Sequence, residues 1–218
     1  MKRNAIASAA VVVVLLLAFV AGILSQRAQS PESSGSAAGA SSQALVREDS
    51  HRLGAAGTGK VTFVEFLDFE CESCKMAHPI VEDLRKKYDG KVDFVVRYFP
   101  LSGHKNSVNA AVAVEAAAQQ GKFEDMYNKM YETQESWGEQ QESKASVFRG
   151  FAQELGLDMA AYDKAVADPA TTERVERDRK DGLDLGVNGT PTFFLNGTQI
   201  EPTSVQDFHD KIDAELNG

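Results

Sequence analysis

The chain has 218 residues, 23 Lys and Arg against 32 Asp and Glu for a formal net charge of −9, 43% hydrophobic residues and two cysteines. That length allows one globular domain with residues to spare, since domains centre on roughly 100–150 residues. The acidic surplus argues against a nucleic-acid partner, because phosphate binding needs clustered Lys and Arg, and two cysteines are too few for a stapled framework, so the fold must rest on its apolar core.

The N-terminal segment reads as something other than core. Lys2 and Arg3 precede an apolar run from Ala5 to Leu24 that only Ser8 and Gly22 interrupt. At ~1.5 Å per residue that run would span ~30 Å as a helix, the thickness of a bilayer's hydrocarbon layer. Residues 5–24 are therefore expected to form a single transmembrane signal anchor. The positive-inside rule then leaves residues 1–4 in the cytoplasm and the rest of the chain outside the cell membrane. The alternative is a signal peptide cleaved near Val20-Ala21-Gly22, which would release a secreted domain. Residues 25–44 carry almost no large apolar side chain and read as a disordered tether, so the folded domain is expected over 45–218.

Val61 to Phe69 is β-branched and aromatic on both alternating faces, the pattern of a strand buried on both sides. Cys71-Glu72-Ser73-Cys74 follows at once. Met76, Ile80, Val81, Leu84 and Tyr88 then recur at helical spacing up to the Asp89-Gly90 stop, with Pro79 expected to kink the helix. Val92 to Phe99 is a second strand, completing a βαβ unit with a right-handed crossover. A helical block follows, over about 103–186: Ser107 to Gln120, Phe123 to Tyr131, Ser146 to Leu155, Met159 to Val166 and about Pro169 to Leu185. Thr192 to Leu195 and Thr198 to Ile200 flank Asn196-Gly197 as a hairpin, and Thr203 or Ser204 caps a last helix. The order β-α-β, helical insertion, β-β-α defines an α/β chain.

Cys71 closes a strand and opens a helix, where unsatisfied backbone N–H groups and the helix dipole favour a thiolate. Cys74 lies one turn further in. The spacing suits a dithiol that exchanges with other proteins, and the competing readings are two inert buried thiols or part of a metal site, with His78 on the same helix face. Gly54 to Lys60 nearly spells a phosphate loop, but Val61 stands where Ser or Thr is required and a strand follows, so that reading is rejected.

FLDFECESCKMAHP and, much later, GVNGTPTFFLNG resemble the thioredoxin fold, and QGKFEDMYNKMYETQ with ELGLD resembles the helical insertion of the DsbA-like thiol:disulfide oxidoreductases. The likeness covers roughly residues 45–218 and is to the membrane-tethered members of Gram-positive and actinobacterial type. It implies that Cys71 is the exchanging sulfur and Cys74 the resolving one, and that Thr190-Pro191 is a cis-proline loop that receives the substrate strand. It further implies that Glu65 moves a proton to or from Cys74. Burial beside Phe63 and Leu67 would raise its pKa, whereas a place at a sheet edge would leave it an ordinary solvated acid. Glu72 and Ser73 stand between the cysteines as tuning positions. The negative charge of Glu72 is expected to oppose the Cys71 thiolate and make the couple a milder oxidant.

The function implied is oxidation of dithiols in exported proteins through a redox-active Cys71–Cys74 disulfide, by a monomer that needs no cofactor and no metal. A quinone-linked membrane partner of DsbB or vitamin-K-epoxide-reductase type would reoxidise it. The alternatives are a reductase or isomerase of the same fold, or a non-catalytic metal-binding or chaperone module.

Overall fold

A computed structural model of the protein describes residues 44–218. The expected cytoplasmic segment 1–4, the anchor 5–24 and the tether up to residue 43 lie outside the described residues. Among the described residues no helix is long and apolar enough to cross a membrane.

The elements are β1 (His51–Leu53), β2 (Val61–Leu67), α1 (Glu72–Lys87), β3 (Val92–Tyr98), α2 (Ser107–Ala118), α3 (Phe123–Thr133), α4 (Ala145–Glu154), α5 (Met159–Ala167), α6 (Pro169–Asp184), β4 (Thr192–Leu195), β5 (Thr198–Ile200) and α7 (Val205–Asn217), with a short 3₁₀ turn at Gln134–Ser136. They form a thioredoxin-like α/β fold around one mixed sheet of order β1-β3-β2-β4-β5. β2 and β3 are parallel with Phe63 beside Phe94. β4 runs antiparallel to β2, and β1 antiparallel to β3. β1 was not foreseen, because three residues are too few to show an alternating pattern.

β2 is central, which is why both of its faces are apolar. One face carries Val61, Phe63 and Leu67 with Phe94, Val96 and Tyr98, and packs with Val81 and Leu84 of α1, Tyr127 and Tyr131 of α3 and Phe208 and Ile212 of α7. The other carries Val64 and Phe66 with Val95, Phe99 and Phe194, and closes over Leu45 and Val187. α6 approaches this second face through Gly182, where an added Cβ would stand 2.7 Å from the Phe99 ring. Ala-rich α2 is buried along most of its circumference, because it is the inner helix of the inserted block. α1 continues through Pro79 as one helix.

The turn chemistry is local. Asn196 (φ 47°) and Gly197 (φ 87°) both take left-handed backbone, as a two-residue hairpin turn between β4 and β5 requires. Asp168 caps α6, with Pro169 in its first turn, and Ser204 caps α7. The near-phosphate loop has a structural role: Gly57 lies so close to β3 that a Cβ there would sit 2.6 Å from the Val92 carbonyl carbon.

A buried ion cluster fastens the start of the domain to this scaffold. Arg97 on β3 is fully buried and meets Asp178 at 2.8 Å and Asp181 at 2.6 Å on α6. Its guanidinium also donates to the carbonyls of Ala44 and Leu45 at 2.6 Å, and Arg47 adds a second cation to Asp181.

Candidate active site

Cys71 and Cys74 sit where β2 hands over to α1, and both thiols are free. Cys71 is the N-cap of α1 and takes extended backbone (φ −73°, ψ 122°) without a side-chain capping hydrogen bond, so its sulfur stands at the helix N-terminus, where the first N–H groups lack an intrahelical partner. The Cys74 thiol donates to that sulfur, and the Thr190 hydroxyl and the N–H groups of Cys74 and Ser73 favour the charged form as well. Burial opposes them, and the balance lowers the Cys71 pKa to about 5. Cys74 is fully enclosed at 0% exposure. Burial drives its thiol well above the ordinary value, and its donation to Cys71 and the nearby charge of Glu65 push the same way. The pair is therefore split into a stabilised thiolate and a sulfur that holds its proton.

Glu72 and Ser73 are both exposed. The strongest influences on Cys71 are Cys74, Thr190 and backbone N–H groups, which together outweigh burial, and Glu72 is not among them. Ser73 contributes through its backbone.

Glu65 lies on the central strand, between Val96 of β3 and Phe193 of β4, and is 2% exposed. The reading of an acid at a sheet edge does not hold. No cation faces it in the ladder, so burial raises its carboxyl to about 8, with the negative charges of Cys71 and Glu82 adding to the rise. Its Oε2 and the Tyr127 hydroxyl are both buried without a hydrogen-bond partner.

Thr190 and Pro191 come from the loop before β4, and the peptide bond between them is cis. The Cys71 sulfur lies 3.4 Å from the Thr190 carbonyl oxygen. The Thr190 hydroxyl is buried without a hydrogen-bond partner, which leaves it free to donate to a thiolate. Asn188 to Phe193 and Gln199 to Pro202 line an open groove beside this loop. Met76, on the first exposed turn after Cys74, is 68% exposed, whereas Met126 and Met130 are core.

His78, the third candidate ligand of a metal cluster, is engaged elsewhere: its Nε2 is 2.9 Å from Asn128 Oδ1, and its ring packs against Tyr127 and Tyr131.

The sequence reading missed the groups that shape the Cys71 turn. Asp68 is buried; its carbonyl accepts the Cys71 N–H at 3.2 Å, and its carboxylate accepts the N–H groups of Glu70 and Leu101. Buried Glu70 accepts from Asn106 N–H at 2.6 Å and from Glu139 N–H at 3.1 Å. Gln134 donates to the carbonyls of Phe69 and Cys71 at 2.8 and 3.0 Å. The acids of Asp68-Phe69-Glu70 beside a cysteine were a visible signal, because two acids in an apolar strand end need nearby donors.

A strand-to-helix dithiol facing a cis-proline loop on a mixed sheet is the arrangement of a thioredoxin-type redox protein. The thioredoxin family model matches residues 47–214, and the chain belongs to that family. Among solved structures, it is similar to a thioredoxin-like oxidoreductase from Silicibacter pomeroyi, at 27% identity and a TM-score of 0.67 over 81% of this chain and 98% of that one. BdbD from Bacillus subtilis (24% identity, TM-score 0.67, 77% and 92% covered) and alpha-DsbA1 from Wolbachia pipientis (19%, 0.70, 81% and 96%) share the fold. Among curated proteins, the Na(+)/H(+) antiporter NhaA of Herminiimonas arsenicoxydans is 36% identical over 141 residues, 65% of this chain and 21% of that protein. An NhaA 3 antiporter of Salinispora tropica is 38% identical over 139 residues, 63% of this chain and 20% of the antiporter. The chain thus spans about a fifth of the length of these curated relatives, and ion exchange is named for the whole of them.

Proposed function

We propose that the chain is a dithiol–disulfide oxidoreductase that works outside the cell membrane and oxidises thiols of exported proteins. The observation that carries this reading is the split of the pair, with Cys71 lowered to about 5 and Cys74 raised and enclosed. A thiolate so stabilised is a good leaving group, and it favours the reduced form of the couple, which makes the disulfide form oxidising. Membership of the thioredoxin family and similarity to a thioredoxin-like oxidoreductase support the same chemistry.

In the oxidised protein a substrate thiolate attacks Cys71 Sγ and the Cys71–Cys74 bond breaks. Cys74 leaves with the electron pair and takes up a proton. Glu65, with its carboxyl raised to about 8 and so protonated at neutral pH, would supply it. The substrate's second thiolate then attacks its own sulfur in the mixed disulfide and releases Cys71 as thiolate. The client has lost two electrons and the enzyme has gained them. The groove beside Thr190 and Pro191 would receive the client's extended backbone. The dithiol returns to the disulfide by passing its electrons to a quinone-linked membrane protein, of DsbB or vitamin-K-epoxide-reductase type, and an anchor at residues 5–24 would keep the two together.

The test is a single turnover. The oxidised full chain is mixed with an excess of a reduced, unfolded dithiol protein, quenched with acid, and its free thiols counted by alkylation and mass. The client should lose two thiols as Cys71 and Cys74 gain two. Cys74→Ser and Cys71→Ser, neither of which can hold the internal disulfide, should leave the client's thiols in place, and only Cys74→Ser should be trapped as a mixed disulfide when its Cys71 thiolate attacks a client that already carries a disulfide. A client that keeps its thiols against the oxidised protein contradicts the reading.

A further inference from the structure

We propose that His104, held by Asp68 on the connection between β3 and α2, is the cation that stabilises the Cys71 thiolate, and so is a positioning residue that sets how strongly the couple oxidises. The inference rests on the dithiol reading above and deepens it.

Asp68 links the two loops. Its carbonyl accepts the Cys71 N–H at 3.2 Å, and its Oδ2 accepts the Leu101 N–H at 2.9 Å and lies 2.7 Å from His104 Nδ1. The turn that carries Cys71 and the loop that carries His104 are thus fixed to one buried residue. His104 Nε2 lies 3.7 Å from Glu139 Oε1. With a carboxylate at each ring nitrogen, the imidazole satisfies both only when both nitrogens are protonated, which is the cationic form. Glu70 fixes the walls of this site by accepting from the N–H groups of Asn106 and Glu139.

The charged groups that act on His104 are Asp68 and Glu70 from the turn after β2, Glu139 from the loop after the 3₁₀ turn, and Cys71 at the start of α1. Hydrogen bonding to Asp68 against the opposing effect of burial, with the charges of Asp68, Cys71 and Glu139, raises its pKa to about 9. Of the residues beside the cysteines in the chain, Glu72 and Ser73 carry no positive charge and Lys75 is paired with Glu135, while Lys105, next to His104, is exposed. A fixed cation beside a thiolate lowers its pKa, and the effect is reciprocal: the thiolate must raise the cation's pKa by the same amount.

That reciprocity gives the test in the full chain. The His104 ring is titrated by NMR in the reduced and the disulfide protein, with His104→Gln to assign its signal, and the Cys71 thiolate is titrated by its ultraviolet absorbance in wild type, His104→Gln and His104→Lys. His104 should titrate lower in the disulfide protein by about half a unit or more. Cys71 should rise by a similar amount in His104→Gln, about a threefold change in the dithiol–disulfide equilibrium, and His104→Lys should restore it. A merely structural His104 would lower the melting temperature of both variants and leave the thiolate where it was. Identical His104 titrations in the two redox states, or an unmoved Cys71 in His104→Gln, overturn the proposal. Should the wild-type pair form no disulfide with any client, the dithiol reading fails, while the thiolate titration still decides the part of His104.

Discussion

The Cys71 sulfur lies 3.4 Å from the carbonyl oxygen of Thr190, a residue 119 positions further along the chain. That contact brings together the two ends of the fold, the turn after β2 and the loop before β4, and between them sits the helical insertion. The reactive sulfur is thus shaped by local helix geometry on one side and by a distant loop on the other.

Cys74 contributes most to the low pKa of its partner. Removing its S–H in Cys74→Ala should raise the Cys71 thiolate pKa from about 5 by about one unit or more, since a lost donor to a charged group is worth ~1.5–3 kcal/mol. Alkylation rates of Cys71 measured against pH would show the displaced inflection. An unmoved inflection would mean that the thiolate is held without the Cys74 thiol.

Glu65 should make stability depend on pH. Its folded pKa, about 8, stands above its ordinary value of 4.5, so its contribution is fully favourable below about 4.5 and is lost as pH rises through about 8. Glu65→Gln removes that penalty. The variant should match the wild type near pH 4 and exceed it near pH 9 by on the order of 5 kcal/mol in urea unfolding. It should also slow turnover, because the proton for Cys74 is gone. Parallel stability profiles would contradict the burial assigned to this acid.

Glu72 is exposed and stands apart from the groups that set the thiolate. Glu72→Gln should therefore move the Cys71 pKa by no more than a few tenths of a unit, with salt shrinking even that. A drop of a full unit would restore the view, natural from the sequence, that this acid restrains the couple.

The β1-to-α6 side of the molecule bears on stability and not on the thiols. Arg97→Leu leaves Asp178 with Arg174 and Asp181 with Arg47 as their remaining cations in the core and should cost about 3 kcal/mol. Gly182→Ala drives a methyl into Phe99 and should cost about 1–3 kcal/mol. Both should leave the thiolate titration unchanged in protein that remains folded, as calorimetry beside the absorbance titration would show.

Much of this was legible in the chain because the decisive patterns are local. The two-sided apolar run of β2, the helical stripe after Cys74 and the Asn196-Gly197 turn each show within a few residues what they become. The strand β1 was not legible, since its three residues gain their place only by pairing with β3. Within the site, the cysteines, Glu65 and the Thr190-Pro191 loop were named from motif and position. Asp68, Glu70, Gln134 and His104 were not, because their meaning lies in contacts between the turn after β2 and segments more than thirty residues away. Glu72 stands out in the sequence by adjacency, whereas the strongest influences on Cys71 come from Cys74, Thr190 and backbone N–H groups.

The central claim is that the Cys71–Cys74 couple is built to give up its disulfide. The most direct measurement equilibrates the full chain with glutathione buffers of graded poise and counts the oxidised fraction. A reduction potential near about −120 mV is the expected result, and one near about −270 mV, the range of thioredoxin itself, would contradict the account and make the protein a reductase.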